Sequence, residues 1–238
     1  MFCHFITLRA IDQSASLDAA VHARVAALIE AIPGLRRAQA MVPAKTRDKY
    51  YDDGPPPVLL LQLYYDRLEA LEQAGSGPLQ HLASSAFPFR EGSHQAMWAR
   101  AMPVPPSPQT RETGCCAYMV HYWGEPADSS TWHSYYLTHH PPIMARFPAI
   151  REIEICTRVD WVDTLPWTRD HHFQRNKVVF DDAHALEAAL HSPVREEMKA
   201  DRAHFPPFTG GSAHFAMDCE TILGPRFMPG SEPEEACV

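Results

Sequence analysis

The chain has 238 residues, 45% of them hydrophobic, with a formal charge of −8 and a pI near 5.9. That balance supplies a core and argues against nucleic acid and anionic membranes as partners. No apolar run approaches the roughly 20 residues that span a bilayer. The N-terminus lacks a basic stretch ahead of a long apolar one, and the cysteines at 3, 115, 116, 156, 219 and 237 contain no Cys-x-x-Cys. A cytoplasmic protein with reduced thiols is therefore expected.

Cys3 to Leu8 reads as a short apolar strand. Leu17 to Ala31 has helical apolar spacing and closes on Pro33-Gly34. Arg36 to Val42 and Val58 to Tyr65 read as strands around a polar, proline-rich loop from Pro43 to Pro57. A second helix begins at Asp66 and runs to Gln73, and Gln95 to Met102 is the next strand. Pro103 to Pro108 is a stiff linker. Beyond it, strands are expected at Ala117 to Trp123, Arg151 to Val162, Asn176 to Phe180 and His214 to Cys219. Helices are expected from Ser130 to about Arg146, Asp182 to Leu190, and Val194 to Ala203. After Gly224 the chain reads as a loose tail.

The chain repeats itself. Ile32-Pro33-Gly34-Leu35-Arg36 recurs as Phe147-Pro148-Ala149-Ile150-Arg151, and Leu68-Glu69-Ala70-Leu71 as Leu186-Glu187-Ala188-Ala189. Phe89-x-x-Gly92-Ser93-His94 recurs as Phe208-x-x-Gly211-Ser212-x-His214. One offset in one order is the mark of an internal repeat. Each half runs strand, helix, strand, strand, helix, strand, the split βαβ or ferredoxin-like unit. Such a sheet carries helices on one face and needs its other face covered. The expected fold is α+β: two fused ferredoxin-like units, 1–102 and 115–223, joined by the linker 103–114 and followed by the tail 224–238. Together they close one pseudo-symmetric dimeric-type α/β barrel within one chain.

The segment Trp132-His133-Ser134-Tyr135-Tyr136-Leu137-Thr138-His139-His140-Pro141-Pro142 carries the chemistry. Two prolines deprive the carbonyls of Leu137 and Thr138 of helical partners and push His140 toward an extended conformation. A helix break is expected there, with an imidazole that a helix end can tune toward neutrality. In the strand Tyr118 to Trp123, alternation places His121 with Met119 and Trp123, and Tyr118, Val120 and Tyr122 on the opposite face.

The second half resembles the EthD-like branch of the dimeric α/β-barrel superfamily. The resemblance rests on Tyr135-Tyr136 leading to His140-Pro141, on Phe147-Pro148-Ala149-Ile150-Arg151, and on Val179-Phe180-Asp181-Asp182. It continues through Leu186, Ala189, Ser192-Pro193, Ala200-Asp201 and Phe205. It implies enzymes that work without a cofactor on lactones, ring-cleavage products or polyketides, in a superfamily that also holds haem-binding members. The first half has Val25 at the position of His140, which points to one working pocket, in the second half.

The expected function is acid/base catalysis without a cofactor, hydrolysing or isomerising a small carboxylate-bearing product of aromatic ring cleavage. His140 would move the proton and His121 or Tyr136 would polarise a carbonyl. Arg175, in the segment Asp170 to Asn176 read as a loop, would hold a carboxylate. His139, His172, Trp123 and Tyr135 would line the pocket. Asp201 is able to orient a histidine, and the repeat-equivalent His94 and His214 read as structural. No metal site is expected. The alternative is a haem- or small-ligand-binding protein with His140 as the axial ligand. Either a monomer or a homodimer is compatible with the repeat.

Overall fold

The computed structural model describes residues 1–10, 17–46, 48–84, 86–106 and 114–226. Most of the expected linker (107–113) and tail (227–238) therefore lies outside the described residues. The elements are β1 (Phe2–Ala10), α1 (Ala19–Glu30), β2 (Leu35–Pro43), β3 (Leu59–Tyr65), α2 (Leu68–Gly75) and β4 (Phe89–Met102). They continue with β5 (Cys115–Pro126), α3 (Ser129–Met144), β6 (Glu152–Arg158), β7 (Thr168–Arg169), β8 (His172–Phe180), α4 (Ala183–Leu190), α5 (Pro193–Arg202) and β9 (Phe208–Leu223).

Eight antiparallel strands close one barrel. The order β4-β1-β3-β2 meets β9-β5-β8-β6 through two seams, β2–β9 and β4–β6. Short β7 adds to the rim of β4 in parallel. The period of two gives each strand an inner and an outer face. Cys3, Phe5, Met41, Leu60, Met119, Val179 and Met217 fill the interior, while α1 and α2 cover one outer wall and α3, α4 and α5 the other.

The interior is not wholly apolar. Arg37 makes a two-pronged bond to Glu152 at 3.2 and 2.9 Å, and Lys177 reaches Glu152 at 2.8 Å, all fully sealed from water. Gln62 and Tyr64 donate to Glu154 at 2.9 and 3.0 Å. These polar residues occupy inward strand positions and are held as a connected network, which such burial requires.

The two Pro-containing repeats turn the same corner. Gly34 has φ +74° and Ala149 has φ +58°, the left-handed region in both halves. The first half uses the residue that adopts it freely, and the second accepts strain.

Two expectations are corrected. The helix does not break at His139-His140: α3 runs through Pro141 and Pro142 to Met144. Both prolines fall in its last turn, so only two backbone bonds are lost, and Ala145 still donates to Pro141 at 2.9 Å. The buried stripe Trp132, Tyr136, His140, Pro141 and Met144 holds that turn in place; burying each of its large side chains contributes about 1.5–3 kcal/mol. The segment before Asn176 is strand rather than loop, since β8 already pairs with β5 from His172 onward.

Candidate active site

A cavity lies between the outer face of β5, β8 and β9 and the helices α3, α4 and α5. Tyr118, Val120 and Tyr122 of β5 point into it, as their alternation requires. Tyr136, His140 and Met144 face them from α3, and Arg195, Lys199 and Arg202 of α5 stand around it. Its enclosed volume is about 50 Å³, room for a few waters or the end of a small ligand.

His140 is the titratable group at the centre. Its ring is packed by Tyr136 and Phe205, with centroids 4.8 and 4.9 Å away. Its Nδ1 lies 2.6 Å from Oδ2 of Asp201, in the last turn of α5. Tyr135 donates to the other oxygen of Asp201 at 3.1 Å. Burial pulls the imidazole down to about 4 against the opposing pull of Asp201. At neutral pH the ring is therefore neutral. Asp201 fixes the proton on Nδ1, which leaves Nε2 as a base with no hydrogen-bond partner among the described residues.

Tyrosines form the facing wall. Asn176 donates to the Tyr136 hydroxyl at 2.5 Å, and the Tyr136 ring meets that of Tyr122 edge to face with centroids 6.2 Å apart. Tyr122 lines the same cavity. Burial pushes its phenol up to about 12, so it remains a donor.

The first half supplies the rim. Tyr118 and Arg195 both donate to Asp48, at 2.7 and 2.8 Å, and His214 pairs with Asp53 at 2.8 Å. Arg202 donates to the Tyr51 hydroxyl and to Ser212 at 3.0 Å. Asp48, Tyr51 and Asp53 come from the loop between β2 and β3, so the proline-rich loop of the sequence is the cap of this pocket.

A reciprocal arrangement seals the other outer wall. His94 stands opposite Ile6 in the β1–β4 register as His214 stands opposite Val120 in β5–β9. His94 pairs with Asp163 at 3.2 Å, in the loop after β6, and is packed by Trp161 and Trp167. Gly92 is needed for that closure, because a Cβ there would come within 2.7 Å of the Trp167 ring. The space matching the cavity is filled by Val25, Ile29, Leu71, Trp161 and Leu165.

The remaining sequence candidates are placed elsewhere. His121 and Arg175 point into the barrel, so the sheet itself separates them from His140. Arg175 donates to Asp170 at 2.7 Å and to His172 at 3.0 Å, and lies over Phe5; it does not reach the cavity. His121 and His172 contact each other with ring centroids 5.3 Å apart. His139 is exposed and stacked on Tyr135, with centroids 4.1 Å apart. Trp123 is exposed at 46%. Sequence reasoning missed Tyr122, Tyr51, Lys199 and Arg202. Only the β5 alternation held a signal for any of them, by setting Tyr122 on the face opposite His121. Among the described residues no group of three or more histidine, cysteine or carboxylate side chains is placed to hold a metal ion.

No family model and no curated protein matches the chain. Solved structures do. An anthrone oxidase-like protein is 8% identical, with a TM-score of 0.57 over 98% of this chain and 96% of its own. A candidate monooxygenase from Fusobacterium nucleatum is 8% identical, with a TM-score of 0.58 over 94% and 95%. The fold is the dimeric α/β barrel. A mutant chlorite dismutase of Candidatus Nitrospira defluvii, solved with cyanide, is 10% identical, with a TM-score of 0.51 over 91% and 90%. The expected EthD branch is not confirmed.

The expectation that this chain works without a cofactor is not upheld, since the chlorite dismutases that share its fold bind haem. His140 has the chemistry of an axial ligand, because a carboxylate orients its Nδ1. The space does not match. An engineered apolar cavity of about 150 Å³ takes up a benzene, whereas the cavity here holds about 50 Å³, walled by Tyr118, Tyr122, Met144, Phe147 and Phe180. These residues as arranged do not fit haem.

Proposed function

We propose that the chain is an enzyme that abstracts a proton from carbon next to a carbonyl in a small, enolisable carboxylate. One observation carries the reading: a neutral, buried His140 whose Nδ1 is held by Asp201 lines the same cavity as the protonated Tyr122 hydroxyl. Nε2 takes the proton, and Asp201 stabilises the imidazolium that results. The enolate oxygen accepts from Tyr122. The narrow chamber admits the reacting end of the substrate. The carboxylate stays at the rim with Lys199 and Arg202, which have no carboxylate partner of their own among the described residues; Arg195 is already paired with Asp48.

An enolate formed this way is the intermediate of isomerisation at carbon, so the reading favours a lactone or dienoate over a methyl ester. We also read the chain as two ferredoxin-like units in tandem, 1–102 and 115–223, because both halves have the same strand order. The five described cysteines are free, in keeping with a cytoplasmic protein. One chain closes the barrel, so the site needs no second copy.

The test is hydrogen exchange. Small keto acids, lactones and dienoates are incubated with the protein in D2O, and loss of the proton next to the carbonyl is followed by NMR. The expected result is exchange that falls by about 10²–10⁴ in His140→Gln and drops with little change in KM in Tyr122→Phe. Unchanged exchange in His140→Gln refutes the assignment.

A further inference from the structure

Four cysteines face the barrel interior. Cys3 and Cys156 are fully sealed from water. Cys115 and Cys219 are also buried, 5% and 4% exposed, at one end of the same interior cluster. They are directly opposite in the β5–β9 register, at the very end of that ladder. The Cys115 thiol donates to the Cys219 carbonyl at 3.3 Å. Both line a surface groove of about 290 Å³, walled by His22, Asp181, Asp218 and Glu220. Cys116, next in sequence, points to the opposite face of β5 and packs with the helices, so the adjacent thiols cannot serve as each other's partners.

Directly opposed residues of an antiparallel pair have Cα atoms about 4.5–5.5 Å apart, inside the roughly 4.4–6.8 Å range that a disulfide spans. A position at the end of the ladder leaves the backbone free to absorb the remaining adjustment. Cys219, together with Lys177 and Arg226, holds the Cys115 thiol below its ordinary range against the effect of burial. Cys115 and burial push Cys219 up.

We infer that Cys115 and Cys219 are a modification site, a dithiol that a small hydroperoxide oxidises to a cross-strand disulfide. The Cys115 thiolate attacks one peroxide oxygen, the O–O bond breaks, and the departing hydroxide takes a proton to become water. The sulfenic acid on Cys115 is then attacked by the Cys219 sulfur. The S–S bond forms, the S–O bond breaks, and the second hydroxide leaves as water with the Cys219 proton. Two thiols lose two electrons and the peroxide gains them. The product staples the first strand of the second half to its last.

The full chain is exposed to a small excess of hydrogen peroxide, alkylated, and mapped by peptide mass. The expected product is a Cys115–Cys219 linked peptide, with Cys3 and Cys156 alkylated only after unfolding. In Cys219→Ser a dimedone-type reagent should label Cys115, and in Cys115→Ser no link should form. Free thiols at 115 and 219 under peroxide that fully oxidises a small-molecule dithiol overturn the proposal, as does a link from Cys115 to Cys116 or Cys237. The wild-type map decides the matter even if a variant fails to fold.

Discussion

The ring of Tyr51 lies flat on the imidazole of His214, centroids 3.8 Å apart and 10° from coplanar. A loop of one half is thereby fixed over the pocket of the other. Stacked aromatic pairs are worth about 0.5–1.5 kcal/mol beyond their area. Tyr51→Ala should therefore raise KM by roughly 2- to 10-fold, with a smaller change in kcat. A KM equal to wild type would show that the loop does not define the mouth.

Asp201→Asn tests the partner of the base. Asp201 raises the His140 pKa against burial, so removing its charge lowers that pKa further and weakens the base. Turnover should fall by about 10²-fold or more, and the acidic limb of the kcat/KM profile should move to lower pH. A limb moving to higher pH would contradict the sign of this coupling.

Seven histidines, His4, His94, His121, His133, His140, His172 and His214, are held below their ordinary range, in each case chiefly by burial. The unfolded chain, with histidines near 6.5, binds more protons than the native state below that pH. Stability is fully present above about pH 6.5 and is lost as pH falls toward about 4, where His133, His140 and His214 charge in the fold. Each such histidine costs up to about tenfold in the folding equilibrium per pH unit. Denaturant midpoints should drop steeply between pH 6.5 and 4.5, and a flat profile there would count against burial of these rings.

Lys177→Met leaves Glu152 and Glu154 facing each other in a dry interior with one cation fewer. Breaking a buried charge network costs about 3–5 kcal/mol. Urea unfolding should register that loss, whereas a cost under 1 kcal/mol would mean that water reaches the network.

Ala149→Gly should stabilise by about 1 kcal/mol, because the left-handed backbone at φ +58° disfavours a Cβ. Thermal melts of the two proteins would show it.

The strand and helix order was legible because apolar periodicity changes clearly between elements. The β5 alternation separated Tyr118, Val120 and Tyr122 from His121, but the face expected to meet His140 was that of His121, and the structure turns the tyrosine face there. His140 was found through its unusual neighbours. Asp201 reads as able to orient a histidine, but its pairing with His140 was not legible, because it lies 61 residues away on another helix. Arg175 misled for the opposite reason. His171, His172 and Arg175 look like a polar loop, yet β8 carries Arg175 inward to meet Asp170. The Arg37–Glu152–Lys177 network was hidden in the same way, since charged residues on a strand ordinarily face water. The proline pair misled because it falls where a helix has few bonds left to lose.

In a barrel built from two identical chains, every substitution lands twice, once in each pocket. Here the two seams join strands of one chain, so each pocket accumulates changes independently. One side has a cavity lined by His140, Tyr122, Lys199 and Arg202 beside Tyr51. The other is filled by Val25, Trp161 and Leu165. Covalent continuity thus releases the molecule from symmetry: one wall is free to specialise for chemistry while its counterpart specialises for mechanical support.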